Sequence, residues 1–215
     1  MPEQNNSILD ELIERYPGLS SCRDDIWQAY VMIRESYQTG GKLLVAGNGG
    51  SAADAEHIVG ELMKGFRKKR QLKPDMTEKI MNVNPEIGIK LCKSLQGALP
   101  AIALTGHVAL STACANDVDA AMGFAQQVFG YGNKGDVFLG ITTSGDSVNI
   151  INALVTAQAK GLKTIVLTGR DGGRAATLTE HAVIVPETET YRIQELHLPV
   201  YHTLCLMLED YFFES

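Results

Sequence analysis

The sequence predicts an α/β fold, a three-layer αβα sandwich on a five-stranded parallel sheet with a helical extension at the N-terminus. Three observations predict it. Five short, β-favouring apolar segments alternate with helical segments along the chain. Those segments are nearly continuous apolar runs, the pattern of strands covered on both faces. Glycine- or hydroxyl-rich turns directly join two of them to the next helix. With 215 residues, 45% of them hydrophobic, the chain can bury one full α/β core. No linker, repeat or low-complexity stretch divides it, so residues 1–215 read as one domain. Residues 1–40 form the helical extension and 41–215 the αβα core.

In chain order, residues 7–17 place Ile8, Leu9, Leu12 and Ile13 on one side of a short amphipathic helix ended by Pro17-Gly18. Ser20-Ser21 with Asp24 starts a second helix, whose stripe of Ile26, Trp27, Tyr30, Val31 and Ile33 runs to Gly40-Gly41. Both helices precede the first strand and are more than one sheet needs for cover, so they are expected to pack against another subunit, covering their own core being the alternative. Lys42–Ala46 is the first strand and Ser51–Gly65 the helix after it. The basic run 66–74, FRKKRQLKP, reads as a solvated loop. Residues 76–96 read as one or two helices broken near Asn84-Pro85, and Leu99–Leu104 as the second strand. His107–Asp117 is a loop or short helix, and Val118–Phe129 is helical. Asp136–Ile141 is the third strand, followed by a helix to Lys160. Thr164–Thr168 is the fourth strand, Gly169–Gly173 a turn, His181–Val185 the fifth strand and Tyr191–Phe213 a long terminal helix with Pro199 inside it.

Charge and cysteine usage narrow the class. A net charge of −6 argues against general nucleic-acid binding, though not against a small anion held in a local cradle. Cys22, Cys92, Cys114 and Cys205 are widely spaced with no CxxC pair, which suits free thiols in a reducing cytoplasm. The polar, acidic start has no signal-peptide core, and the longest apolar runs are strand-sized, so no membrane span and a cytoplasmic location are expected.

Chemistry concentrates in three places. In Leu44–Leu62 a strand turns on Gly47-Asn48-Gly49-Gly50-Ser51 into a helix, the arrangement that offers backbone N–H groups and a helix dipole to a phosphate. On that helix His57 and Glu61 are four residues apart and share a face. Gly47-x-Gly49-x-x-Ala52 loosely matches a dinucleotide fingerprint. The acidic residue that fingerprint needs about 20 residues on falls in the basic run with no strand before it, so the match is discounted. The second place is Thr142-Thr143-Ser144-Gly145-Asp146-Ser147, also between strand and helix, where hydroxyls and N–H groups suit a multivalent oxyanion. Ligands of open α/β sheets gather at the carboxyl ends of strands, where both loops lie. The third is the terminal helix, with Gln194, Glu195, His197 and His202.

Together GNGGSAADAEHIVGEL, TTSGDS and RIQELHLPVYH resemble the SIS (sugar isomerase) family, most closely its phosphoheptose isomerase branch, over most of the chain from about residue 20. The first and last motifs are specific as a pair; the hydroxyl loop alone marks a phosphosugar-binding SIS domain. The resemblance implies the SIS fold and a homotetramer. It implies zinc at the equivalents of His57, Glu61, Gln194 and His202, and an acid/base pair at Glu61 and His202. Substrate contacts are implied at Asn48, Gly49, Gly50, Ser51, Glu61, Asn116, Asp117, Thr142, Thr143, Ser144, Ser147 and Gln194. Three departures bear on the identity of the sugar: Asp146 where the branch commonly has Asn, Tyr191 before Arg192 where it often has Asp, and a longer 67–97 segment.

The activity this implies is aldose–ketose isomerisation of a sugar phosphate, such as sedoheptulose 7-phosphate to D-glycero-D-manno-heptose 7-phosphate. A carboxylate and an imidazole suit the proton transfers near neutral pH. Two alternatives stand beside it. One is a non-catalytic phosphosugar-binding regulator, since a relative of this branch associates with a replication initiator. The other is an isomerase of a sugar phosphate of different length. A regulator need not keep Glu61 and His202.

Overall fold

The computed structural model describes residues 6–213. Its five strands are β1 Leu43–Gly47, β2 Ala101–Ala103, β3 Val137–Ile141, β4 Lys163–Thr168 and β5 His181–Ile184. They form one sheet in the order β2-β1-β3-β4-β5, and every pair is parallel. The central strands β1 and β3 read LLVAG and VFLGI and are buried throughout, as strands between two helical layers must be. Side chains of β1 alternate between those layers. Leu43 and Val45 join the core beneath the N- and C-terminal helices, while Leu44 and Ala46 join the core on the other face with Val128, Ile150 and Leu154. The chain leaves β1 toward β2 on one side and returns to β3 on the other, so the strand order switches between β1 and β3. The loops after these two strands therefore meet at the carboxyl end of the sheet.

The helices are α1 Ser7–Arg15, α2 Arg23–Gln38, α3 Gly50–Met63, α4 Pro74–Val83, α5 Pro85–Ser94, α6 Val108–Cys114, α7 Gly123–Tyr131, α8 Val148–Ala159, α9 Gly173–Leu178 and α10 Thr190–Phe212. The inward faces of α1 and α2 follow the alternative to subunit packing: they cover the chain's own core. Leu9, Leu12, Ile26 and Ile33 are buried in the chain's own core with Val200, Leu204 and Leu208 of α10. Asn6 caps α1 by accepting from the N–H groups of Ile8 and Leu9. The break at Asn84-Pro85 is where it was expected: Asn84 ends α4 and its side chain accepts from Ile87 N at the start of α5. No residue of α4 is buried.

Three expectations need correction. The helix expected over Val118–Phe129 begins at Gly123, because a π turn over Ala115–Asp119 and a 3₁₀ turn over Ala120–Met122 carry the chain there. The turn at Gly169–Gly173 leads into α9, which is too short to show a period in the sequence. The basic run is not uniformly solvated: Arg70 is 1% exposed. Its Nε donates to Glu209 Oε1 at 2.8 Å, and its Nη atoms donate to the carbonyls of Leu62 and Glu61 at the end of α3. Glu209 also accepts from the backbone N–H groups of Phe66, Arg67 and Lys68. A charge can be buried here because it is paired and hydrogen-bonded on all sides.

All four cysteines are free, with Cys22, Cys114 and Cys205 buried. Among the described residues no helix is long and apolar enough to cross a membrane.

Candidate active site

Helices α3 and α10 lie side by side and organise the site from end to end. At one end, α3 starts at Gly50 with Gly49 as its N-cap, at φ +56° and with no side-chain cap. A Cβ on Gly50 would come within 2.6 Å of Gln194 Nε2, so a side chain at position 50 would push the Gln194 amide off the start of α3. Asn48, Gly49, Gly50 and Ser51 face Thr142, Thr143, Ser147, Thr190 and Gln194 around a cavity of about 310 Å³. The two loops are tied by a reciprocal amide pair: Asn48 Nδ2 donates to Asn149 Oδ1 at 3.0 Å and Asn149 Nδ2 to Asn48 Oδ1 at 2.8 Å. Thr142 and Ser147 hydroxyls sit 3.1 Å apart across the second loop. Helix α8, like α3, begins without a side-chain cap. Two uncapped helix starts and a ring of hydroxyls and amides offer the kind of donors a phosphate group takes.

Farther along both helices lies the second cluster. His57 Nε2 is 3.3 Å from Glu61 Oε1, and His202 Nε2 is 3.5 Å from His57 Nε2. The Glu61 side chain is 13% exposed. Its Oε2 is buried without a hydrogen-bond partner, the nearest cation being Lys64 Nζ at 3.5 Å. Burial, then the neighbouring His57, pushes the His202 imidazole below the usual histidine range, while Glu61 opposes that shift. Neutral His202 can therefore both accept and donate a proton near pH 7. Its other side borders a groove of about 470 Å³ walled by Leu12, Tyr16, Phe66 and Leu198.

The structure thus gathers most of the residues singled out in the sequence into two adjoining groups. Three stand apart. Ser144 turns into the next depression with Arg170 and Asp171, and its hydroxyl accepts from Asp146 N. Asn116 and Asp117 are exposed on the π turn, bonded to each other and outside the loop cavity of their own protomer. Gln194 is eight residues before His202, about 12 Å of helix rise, so within one protomer it belongs with the loop cavity.

Asp146 lies outside the loop cavity: its Oδ1 accepts from Arg174 N in the first turn of α9. Gly145, at φ +73°, is packed so closely on the Gly172 carbonyl that a side chain there would clash.

Other site residues escaped the sequence reading. Asn149 gave no local signal. Asp54 did, since positions 54, 57 and 61 fall on one helical face. Tyr201, beside His202 in the chain, bonds both His57 and Asp54.

Comparison with known proteins agrees with this geometry. The SIS domain model matches residues 10–87 and 79–169. The chain belongs to the SIS-domain family. Within this family it is 38% identical over 190 residues to a phosphoheptose isomerase of Nitratiruptor sp., 88% of each chain being covered. It is 40% identical to one from Desulfovibrio desulfuricans, over 98% of this chain and 92% of that relative. Among solved structures, a phosphoheptose isomerase from Neisseria gonorrhoeae superposes with a TM-score of 0.73 at 31% identity, covering 94% of both chains. One from Francisella tularensis gives 0.72 at 32% identity, over 95% of this chain and 96% of that one.

Proposed function

We propose that this SIS-domain chain interconverts sedoheptulose 7-phosphate and D-glycero-D-manno-heptose 7-phosphate, with Glu61 as base and His202 as the acid that moves the oxygen-bound proton. The chain is a phosphosugar isomerase. The single observation that carries the assignment of roles is the alignment of α3 with α10. It puts the loop cavity at Gly50 and Gln194, and a carboxylate–imidazole pair, on the same two helices, which supports reading the cavity as the phosphate's seat. From Gly50 to His57 the helix rises about 10 Å, a span suited to an extended seven-carbon chain with a terminal phosphate.

In the ketose-to-aldose direction, the Glu61 carboxylate takes a proton from C1, and the C1–H electron pair becomes the C1–C2 double bond of an enediolate. His202 carries the proton from the C1 hydroxyl to the C2 oxygen. Glu61 then returns its proton to C2 as the carbonyl forms at C1. With no hydrogen bond to Oε2, only the Lys64 ammonium 3.5 Å away, and the His57 ring 3.3 Å from Oε1, the Glu61 carboxylate keeps lone-pair capacity for this task.

Zinc fits the donor chemistry of the cluster: two imidazoles and a carboxylate are a catalytic zinc ligand set. The described residues hold no ready-made group of three such ligands; His57, Glu61 and His202 are proposed as the residues that would close on the ion, on the strength of their 3.3 Å and 3.5 Å spacings. When bound it would polarise the substrate's oxygens as a Lewis acid. Gln194 is assigned first to the substrate. The proposed assembly is a homotetramer. Asn116 and Asp117 support it, since they lie outside the cavity of their own protomer and would meet the sugar only across an interface.

The test is Glu61→Gln, assayed with five-, six- and seven-carbon ketose phosphates and by NMR in deuterium oxide. Wild type is expected to turn over the seven-carbon substrate and introduce deuterium at the carbon that changes hydrogen. The variant should lose about 10²–10⁴-fold in kcat while still binding the phosphosugar. Retention of more than about a tenth of turnover would remove Glu61 from the base role. Equal rates on shorter sugars would overturn the choice of heptose.

A further inference from the structure

His57 is held from behind by a chain of hydrogen bonds that the isomerase reading does not use. Its Nδ1 lies 3.0 Å from the Tyr201 hydroxyl, and that hydroxyl donates to Asp54 Oδ1 at 3.2 Å. Tyr201 is 1% exposed, and its ring meets the imidazole edge-on at 5.5 Å, so the phenol is a fixed support behind a half-exposed His57. Asp54, His57 and Glu61 share one face of α3, while Tyr201 precedes His202 on α10. The chain therefore crosses between the same two helices as the reacting pair.

Proton counting decides its direction. A phenol has one proton to give, and an ionised carboxylate can only accept. With that proton on Asp54, the Tyr201 oxygen has only lone pairs for His57, so Nδ1 must carry a hydrogen. In the neutral ring Nε2 is then bare, and Nε2 is the atom that faces Glu61 and His202. The opposite tautomer would place an N–H on the Glu61 carboxylate. That bond would weaken Glu61 as a base and remove the lone pair His57 could offer to a cation.

We infer that Tyr201 and Asp54 are positioning residues that hold His57 as its Nδ1–H tautomer, with the Nε2 lone pair turned into the reaction centre. The role rests on the reading of Glu61 and His202 as the reacting pair. The tautomer does not rest on it and can be measured separately.

The experiment uses full-length protein as purified, labelled with ¹⁵N at the histidine rings. Long-range ¹H–¹⁵N spectra then report which nitrogen of His57 is protonated. Wild type should show Nδ1–H, with or without added zinc. Tyr201→Phe removes the acceptor and should let Nε2–H appear. Asp54→Ala frees the phenolic proton to bond Nδ1, and should convert His57 more fully to Nε2–H. Both variants should lose about 10–100-fold in kcat, the usual cost of removing such a support. KM should hold, because the phosphate receptor lies at the other end of α3. Thermal melts check that both variants fold. Nε2–H in the wild type would overturn the inference. So would a tautomer that neither variant moves, or one that moves while kcat stays constant. If Glu61→Gln keeps its turnover instead, the reaction-centre reading falls, and the wild-type spectrum still decides the tautomer.

Discussion

Two glutamates on neighbouring helices have opposite surroundings. Glu209, on α10, accepts from three backbone N–H groups and from Arg70, and is 1% exposed. Glu61, on α3, has an imidazole beside one oxygen and no hydrogen-bond partner on the other. Burial alone would raise the Glu209 carboxyl, but the N–H groups of Phe66 and Arg67 and the Arg70 guanidinium outweigh it and hold it below its ordinary value. Glu209 is saturated and belongs to the architecture; Glu61 is left with hydrogen-bonding capacity, which suits the base role proposed for it. Arg70 connects them, because it caps the carbonyls of Glu61 and Leu62 while pairing with Glu209. A carboxylate's role is thus read better from its unfilled hydrogen-bonding capacity than from its burial.

The largest effect should come from breaking the saturated side. Glu209→Ala leaves the Arg70 guanidinium buried and unpaired, which should cost about 3–5 kcal/mol of stability. Urea unfolding measures it, and a loss below about 1 kcal/mol would mean the pair is not buried in solution. Glu61→Gln is the reverse case: the kcat loss already described should come with an unchanged unfolding midpoint.

Acid should separate the two kinds of site next. His197, also on α10, is fully buried, and burial lowers its pKa to about 4, opposed only in part by a hydrogen bond to the Thr168 backbone. The folded state therefore resists protonating it, whereas the unfolded chain protonates near 6.5. Stability should be full above about pH 6.5 and fall as pH drops toward 4, by about 3 kcal/mol in all. Glu209, whose folded pKa is lowered, keeps its contribution above its unfolded value of 4.5 and loses it only below that. His197→Leu should flatten the upper limb of the stability–pH curve and leave the lower one. If the upper limb survives, another group is responsible.

The smallest effect concerns Asp146. It faces the start of α9, so Asp146→Asn should cost about 0.3–1 kcal/mol and leave KM for the phosphosugar unchanged. A large fall in KM would mean that its charge faces the phosphate after all.

The sequence made much of this legible. The apolar runs placed all five strands, and the period of α3 put His57 and Glu61 on one face. Asn84-Pro85 marked the joint between α4 and α5. What it hid depends on distance. Nothing local in FRKKRQLKP distinguishes Arg70 from its basic neighbours; its burial is decided by Glu209, 139 residues away. Asn149 matters through a partner across the sheet. The expected second strand, Leu99–Leu104, shortens to Ala101–Ala103 because it pairs with β1 alone over three positions. Tyr201 looked like one more apolar residue of α10 until its hydroxyl was placed between Asp54 and His57.

The sheet's outermost strands carry one more consequence. β2 has three residues and β5 four, against five or six in the interior. The His181 ring of β5 is bonded to the Asp25 carbonyl of α2, which drapes a helix along that margin. Exposed strand margins are where copies of a protein zip into aggregates, and short or covered ones give an incoming strand little to grip. In the folded chain the adhesive β-favouring runs are therefore confined to the middle of the sheet, away from any incoming strand.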